Sequence, residues 1–196
     1  MRGLHRRARG FKKFLHNDAL PYFSRDDYSE KVTAQNRVLS ESEILKQIDA
    51  ANEIYTVLLH GPGGFGKTRL AHQLCQQATS DIALRIDASA DYLKLKDYLQ
   101  QVSSTEVSGH RNLQHIILFQ DYAENVSSAT SLRYFCDEVQ AELNIRSTLI
   151  FCGRSSGRHR IKQVYDEFEI AEHSVGHDQE GNGFTYASWL VAQILE

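Results

Sequence analysis

The feature that most constrains the fold of this chain is the octapeptide GPGGFGKT, residues 61 to 68. It matches the spacing G-x-x-x-x-G-K-[ST], with Gly61, Gly66, Lys67 and Thr68 in the fixed places. Glycines allow left-handed torsions and let backbone N–H groups approach a phosphate closely. The lysine can reach β- and γ-phosphates, and the hydroxyl can ligate Mg²⁺. The octapeptide therefore predicts a phosphate-binding loop.

The residues on either side of the loop have the composition that such a loop requires. YTVLLH, residues 55 to 60, is a short apolar run typical of a buried strand, and RLAHQLCQQAT, residues 69 to 79, keeps a helical period. A helix that starts at the loop presents its N-terminus to an anion. The residues expected to contact bound ATP or ADP are Gly61, Pro62, Gly63, Gly64, Phe65, Gly66, Lys67, Thr68 and Arg69.

Strand and helix patterns alternate along the rest of the chain. Further strands are predicted at 81–89, 115–120, 147–153 and 168–174, and helices at 41–52, 91–102, 127–143, 160–166 and 184–196. This alternation predicts an α/β three-layer sandwich with a mostly parallel sheet. A further strand lies in sequence between the loop strand and HIILFQ, so we expect the spatial order 5-1-4-3-2, with the ligand at the carboxyl ends of the strands.

The segment HIILFQDYAEN, residues 115 to 125, supplies the acids that a nucleotide site needs. Asp121 directly follows the apolar run and is the expected metal-side carboxylate. If the strand ended one residue earlier, Gln120 would take the metal position and Asp121 would act as the base. Glu124 is a candidate for orienting or activating water. The alternative for Glu124 is a solvated carboxylate in a turn.

Three stretches together resemble the ATPase core of bacterial STAND-type signalling NTPases. They are the loop GPGGFGKTRLA, the Asp-Tyr-Ala-Glu element at 121–124, and the apolar strand TLIFCGRSSG at 148–157. The resemblance covers roughly residues 40 to 160. It implies a slow ATPase that acts as a switch, with Arg154 contacting the γ-phosphate. Gln120 departs from the family, which has an apolar residue before the acid.

The loop after the fourth strand is basic beyond Arg154. Arg158 and Arg160 could act in trans across an interface between copies, or could be surface residues paired with acids such as those of YDEFE, residues 165 to 169. Partners expected from the resemblance are other protein domains or copies of this chain.

The chain divides into a basic and polar extension, residues 1–39, and a core, residues 40–196. Residues 1 to 17 carry four Arg and two Lys with no acid, which suits a solvated helix or, less readily, a contact with nucleic acid. STAND proteins continue into a helical lid and a winged helix. The 196-residue chain is therefore expected to be a fragment or a core that stands alone.

Composition narrows the class of protein further. A formal net charge of −3 gives no general attraction to nucleic acid or membranes, and no apolar run is long enough to span a bilayer. Three widely spaced cysteines suit free thiols in the cytoplasm. A small-molecule or nucleotide kinase and a nucleotide-binding scaffold that does not hydrolyse ATP remain as alternative functions.

Overall fold

One parallel sheet of five strands organises the computed structural model, which describes residues 41–104 and 113–175. The strands are β1 (Tyr55–Gly61), β2 (Ile82–Ile86), β3 (His115–Gln120), β4 (Arg146–Arg154) and β5 (Ile170–Ser174). Their spatial order is β2-β3-β4-β1-β5, and every pairing is parallel. This is the predicted order 5-1-4-3-2 read from the opposite edge, so the predicted α/β fold is confirmed.

Helices cover both faces of the sheet. They are α1 (Glu41–Ala50), α2 (Lys67–Gln77), α3 (Tyr92–Ser104), α4 (Thr130–Leu143) and α5 (Arg158–Val164). Apolar residues of α1 and α2 form one core cluster with one face of the sheet. Apolar residues of α3, α4 and α5 form a second cluster with the other face. The result is the predicted three-layer sandwich.

The central strands divide their side chains between the two clusters because side chains alternate along a strand. In β3, Ile116 and Leu118 belong to the cluster beneath α3 and α4, whereas Ile117 and Phe119 belong to the cluster beneath α2. All six residues of β3 are buried. Continuous burial explains why the sequence of this strand is an apolar run without a polar face.

Several boundaries differ from the predicted ones for local reasons. The second strand ends at Ile86, not near residue 89, because the Asp87 carboxylate accepts hydrogen bonds from the backbone N–H and hydroxyl of Ser89 and holds a turn there. The helix predicted from residue 127 begins at Thr130, after a 3₁₀ turn at Ala123–Asn125.

The remaining predictions concern the cysteines, membrane-spanning helices and the two ends of the chain. The three cysteines, Cys75, Cys136 and Cys152, are free and buried, as expected. No helix of the described residues is long and apolar enough to cross a membrane. The basic segment 1–17 and the helix predicted at 184–196 lie outside the described residues.

The short helix α5 is tied to the edge strand by charge. Arg158 and Lys162, one turn apart on α5, both pair with Glu172 of β5, and the Lys162 Nζ to Glu172 Oε1 distance is 2.7 Å. The hydrogen bond from Arg158 is the main cause that lowers the pKa of Glu172 to about 2. Arg158 is therefore a surface arginine paired with an acid, the second of the two alternatives, and the acid is Glu172 of β5, not one of YDEFE.

We predict that Glu172→Gln lowers the melting temperature most above pH 5. The folded pKa of Glu172 lies below its ordinary value of 4.5, so the stabilisation by the ion pair is complete above pH 4.5 and is lost as the pH falls towards 2. Melting curves of the parent and the variant between pH 3 and pH 7 measure the difference, with the exposed Glu169→Gln as the control. A difference that stayed constant across this range would contradict the ion-pair explanation.

Candidate functional site

The loop between β1 and α2 has the backbone that its sequence predicts. Gly64 and Gly66 have φ angles of 84° and 77°, values that other residues adopt only under strain. Gly66 stands immediately before α2, whose first residue is Lys67, and its carbonyl accepts a hydrogen bond from Leu70 N at 2.8 Å. No side chain caps this end of α2. Its first N–H groups are therefore oriented toward the loop, as an anion site requires.

Lys67 folds back over the loop that precedes it. Its Nζ donates hydrogen bonds to the carbonyl oxygens of Gly61 at 3.0 Å and Pro62 at 2.6 Å. Burial lowers the pKa of Lys67, an effect that the nearby Asp121 and Glu124 carboxylates oppose. The Lys67 ammonium group is therefore close enough to interact electrostatically with the carboxylates of both candidate acids.

Asp121 is brought to the loop by the end of β3. Its Oδ2 accepts a hydrogen bond from the Thr68 hydroxyl at 3.1 Å, across 53 positions of sequence. Its Oδ1 accepts one from Tyr122 N at 3.1 Å, which fixes the carboxylate. A hydroxyl and a carboxylate side by side are the oxygen ligands that Mg²⁺ prefers, so these two residues fit a magnesium ion.

Gln120, the other candidate for the metal position, is directed into a different layer of the molecule. Its side chain is 2% exposed, and its Oε1 accepts a hydrogen bond from the buried Tyr165 hydroxyl at 2.9 Å. Both residues line a cavity of ≈ 320 Å³ beneath the N-termini of α3 and α4. This explains how a polar residue is tolerated at the end of a buried strand: its amide has a hydrogen-bond partner in the core.

A strained turn carries the chain from Asp121 to Glu124. Tyr122 has a φ of 53°, a left-handed torsion that is unusual for a residue other than glycine, and Asn125 N donates to its carbonyl at 2.9 Å. The turn brings Glu124 against the end of β4. The Oε2 atom of Glu124 is buried and has no hydrogen-bond partner among the described residues.

Arg154 is the last residue of β4. The parallel register pairs it with Gly61, the first residue of the loop, so its backbone lies beside the loop. The side chain is exposed, and its charge contributes to lowering the pKa of Lys67. Arg154, Lys67, Asp121 and Glu124 are therefore neighbours around one loop.

The remaining predicted contact residues surround the same loop. Gly63 and Gly64 are exposed, Pro62 and Phe65 are half-buried, and Phe65 packs against the core cluster beneath α2. Arg69 lies one turn into α2 and is half-buried. Among the described residues, no group of three or more His, Cys, Asp or Glu side chains could hold a metal.

Two residues near Glu124 escaped the sequence analysis. Gly153 and Gly157 leave space that the Glu124 side chain fills, whereas the pattern of TLIFCGRSSG indicates only a strand followed by an arginine. Their spacing around Arg154 is visible in the sequence, but nothing in the sequence alone says which side chain approaches them.

Comparison with known proteins adds a likeness of fold. No family model and no curated protein matches the sequence. The chain is similar to two solved variants of Thermotoga maritima RuvB, each at 19% identity. One match covers 77% of this chain and 49% of that one with a TM-score of 0.44, and the other covers 89% and 56% with a TM-score of 0.45.

This chain thus spans about half the length of those structures, and a likeness of this degree assigns no role to any residue. The fold is clear from the molecule itself. A phosphate-binding loop after β1, an acid after β3 and the order β2-β3-β4-β1-β5 are the arrangement of additional-strand P-loop NTPases.

We predict that Tyr165→Phe destabilises the fold by about 1–3 kcal/mol, because it leaves the buried Gln120 amide without its partner. Adding Gln120→Leu removes the other polar group and should recover most of the loss. Urea unfolding of the parent, both single variants and the double variant measures the coupling, with Tyr98→Phe on the surface of α3 as the control. Simple additivity of the two changes would show that the bond contributes nothing.

Proposed function

We propose that this chain binds ATP and ADP together with Mg²⁺, and that it hydrolyses ATP slowly as a nucleotide-dependent switch. The observation that carries the proposal is the hydrogen bond between Thr68 and Asp121 at 3.1 Å. It joins the hydroxyl that follows Lys67 to the carboxylate that directly follows β3. Two oxygen ligands from distant parts of the chain, next to a lysine and a helix N-terminus, fit a metal-bound nucleotide.

The loop and Lys67 bind the phosphates in this proposal. Lys67 Nζ donates to two neutral carbonyl oxygens of its own loop. Phosphate oxygens would be stronger acceptors because a hydrogen bond between two charged groups is shorter and roughly twice as strong as a neutral one. The left-handed Gly64 and Gly66 leave the backbone N–H groups of the loop free of side-chain obstruction.

Thr68 and Asp121 hold the metal. Mg²⁺ in this position would offset the negative charge of the phosphate oxygens. The role of the protein is to fix both ligands in place before the metal binds. The Tyr122 N–H fixes one carboxylate oxygen of Asp121 and leaves the other directed at Thr68.

Glu124 and Arg154 act on the reaction itself. A carboxylate accepts a proton from water as the water attacks the γ-phosphate, and the Glu124 Oε2 atom has unused acceptor capacity. Arg154 is exposed beside the start of the loop, and its guanidinium can contact the γ-phosphate and stabilise charge there. These roles follow the resemblance to STAND-type NTPases.

The switch function rests on the same resemblance. Slow turnover keeps the ATP-bound and ADP-bound states long-lived enough to be read by other protein domains or by copies of the chain. A steady-state rate like that of a metabolic enzyme would contradict this part of the proposal, because such enzymes have a median turnover of about 10 per second.

A second candidate is a nucleotide-binding module that does not hydrolyse ATP. One observation favours it: the Glu124 Oε2 atom is buried, not directed at solvent. Glu124 as a whole is half-buried, but its buried Oε2 oxygen cannot accept a proton from an attacking water unless the side chain moves.

We predict that the purified chain releases ADP on denaturation, and that Lys67→Ala releases none. Loss of charge-assisted hydrogen bonds to phosphate should weaken binding by roughly 10- to 100-fold. Chromatography of the released nucleotide is the measurement, with the exposed Lys46→Ala in α1 as the matched control. Intact ATP from the parent would favour the second candidate. Failure of the parent to bind added ATP in a titration would overturn the proposal.

Asp121→Asn should remove the benefit of magnesium and retain binding of metal-free nucleotide. The amide can still accept a hydrogen bond from Thr68, but it lacks the charge that holds the cation, so we expect metal-dependent affinity to fall by roughly tenfold or more. Calorimetric titration of ATP with and without Mg²⁺ gives the comparison, beside Asp97→Asn on the exposed face of α3. An unchanged magnesium effect would remove Asp121 from the metal site.

A further inference from the structure

Two glycines enclose the side chain of Glu124. A Cβ atom built on Gly157 would lie 2.7 Å from Glu124 Cβ and 3.2 Å from its Cγ. A Cβ atom built on Gly153 would lie 3.1 Å from Glu124 Oε2 and would overlap Ile161 Cδ1. All three distances to Glu124 atoms are shorter than ordinary van der Waals contact. The stem of Glu124 therefore occupies space that exists only because residue 157 has no side chain.

Backbone torsion does not explain why residues 153 and 157 are glycines. Gly157 has φ −90° and ψ −6°, which any residue can adopt, and Gly153 is an ordinary strand residue of β4. By contrast, Gly64 and Gly66 of the loop have positive φ angles. What Gly153 and Gly157 supply is the absence of a Cβ atom.

Packing, not hydrogen bonding, positions the Oε2 atom of Glu124. Its Oε2 atom is buried and has no donor among the described residues. A carboxylate fixed by hydrogen bonds would tolerate a nearby methyl group by small shifts around those bonds. For Oε2 of Glu124, contact with the surrounding surface sets the position, so the shape of the surface at Gly153 and Gly157 affects where the carboxylate lies.

We propose that Gly153 and Gly157 are positioning residues that form a slot for Glu124 and set its distance from the attacking water. This inference rests on the proposed ATP hydrolysis. Arg154 lies between the two glycines in sequence, at the end of β4. Any displacement of this segment when Arg154 contacts a phosphate is passed to Glu124 by direct contact. The slot thereby links the residue that reads the γ-phosphate to the residue that activates water.

The test is Gly157→Ala, because the three atoms nearest to a Cβ atom at position 157 all belong to Glu124. We expect kcat to fall by roughly 10- to 100-fold, since a misplacement of about 1 Å can cost a factor of 100, with ATP affinity within twofold of the parent. Ser156 is an exposed residue of the 3₁₀ turn Ser155–Gly157, and Ser156→Ala should leave both kcat and ATP affinity unchanged. Equal losses of affinity and rate would indicate general damage and overturn the proposal.

Two further variants separate the slot from other roles of Gly157. Gly157 also precedes the first residue of α5, where serine is a better capping residue than alanine. Gly157→Ser should be as slow as Gly157→Ala if the Cβ atom is responsible, and recovery of the rate would overturn the slot. In a Glu124→Gln background, Gly157→Ala should have no additional effect on kcat, because both changes act through one group. Additive losses would contradict the proposal.

A variant at Gly153 tests the slot independently in case Gly157→Ala does not fold. Gly153→Ala combined with Ile161→Val removes the Cδ1 atom that would overlap the new methyl group and leaves Glu124 Oε2 as the close contact. This double variant should show the same loss of kcat, whereas Ile161→Val alone should not. A rate equal to that of Ile161→Val would overturn the slot.

Failure of the proposed function is distinguishable from failure of the slot. A parent that binds ATP without any hydrolysis would refute the ATPase, and the slot is then judged by crystal structures of the parent and Gly157→Ala. A Glu124 carboxylate displaced in the variant supports the slot. A carboxylate in the same place in both overturns it.

Discussion

The parallel pairing of β4 with both of its neighbours is the constraint on which the site depends. On one side the register places Arg154 beside Gly61, and on the other it places Phe151 beside Gln120, one residue before Asp121. The loop, the acid and the arginine come from three strands that are far apart in sequence. Only with β4 between β1 and β3 do the ends of all three meet at one edge of the sheet.

Much of this arrangement could be predicted from the sequence because it depends on local chemistry. The octapeptide at 61–68 determines its own backbone, and the apolar run of β3 determines burial and hence the sheet position. The assignment of Gln120 could not be settled in the same way. Its hydrogen-bond partner is the hydroxyl of Tyr165, 45 residues away, and no local pattern reveals such a partner. The slot at Gly157 is equally non-local, because the side chain that fills it belongs to another turn.

Gln120 and Asp121 illustrate how neighbouring polar residues are separated by the alternation of a strand. One amide enters the core beneath α3 and α4, where Tyr165 is its partner, and the next carboxylate reaches the loop and Thr68. A buried polar group without a partner would cost about 1–3 kcal/mol, so the tyrosine makes the glutamine tolerable. Gln120 thus belongs to the core beneath α3 and α4, and Asp121 belongs to the loop side of the sheet.

The edge strand β5 is attached to the loop as directly as β4 is. Val175, which follows β5, donates a backbone hydrogen bond to the His60 carbonyl at 2.7 Å. A side chain at Gly61 would overlap the Val175 carbonyl, so the first glycine of the loop is required for this contact as well as for the proposed approach of phosphate. Glu172 ties the same strand to α5, which follows the Arg154 turn. A change at the phosphate site therefore has two short routes to β5, one through the backbone at Gly61 and one through α5.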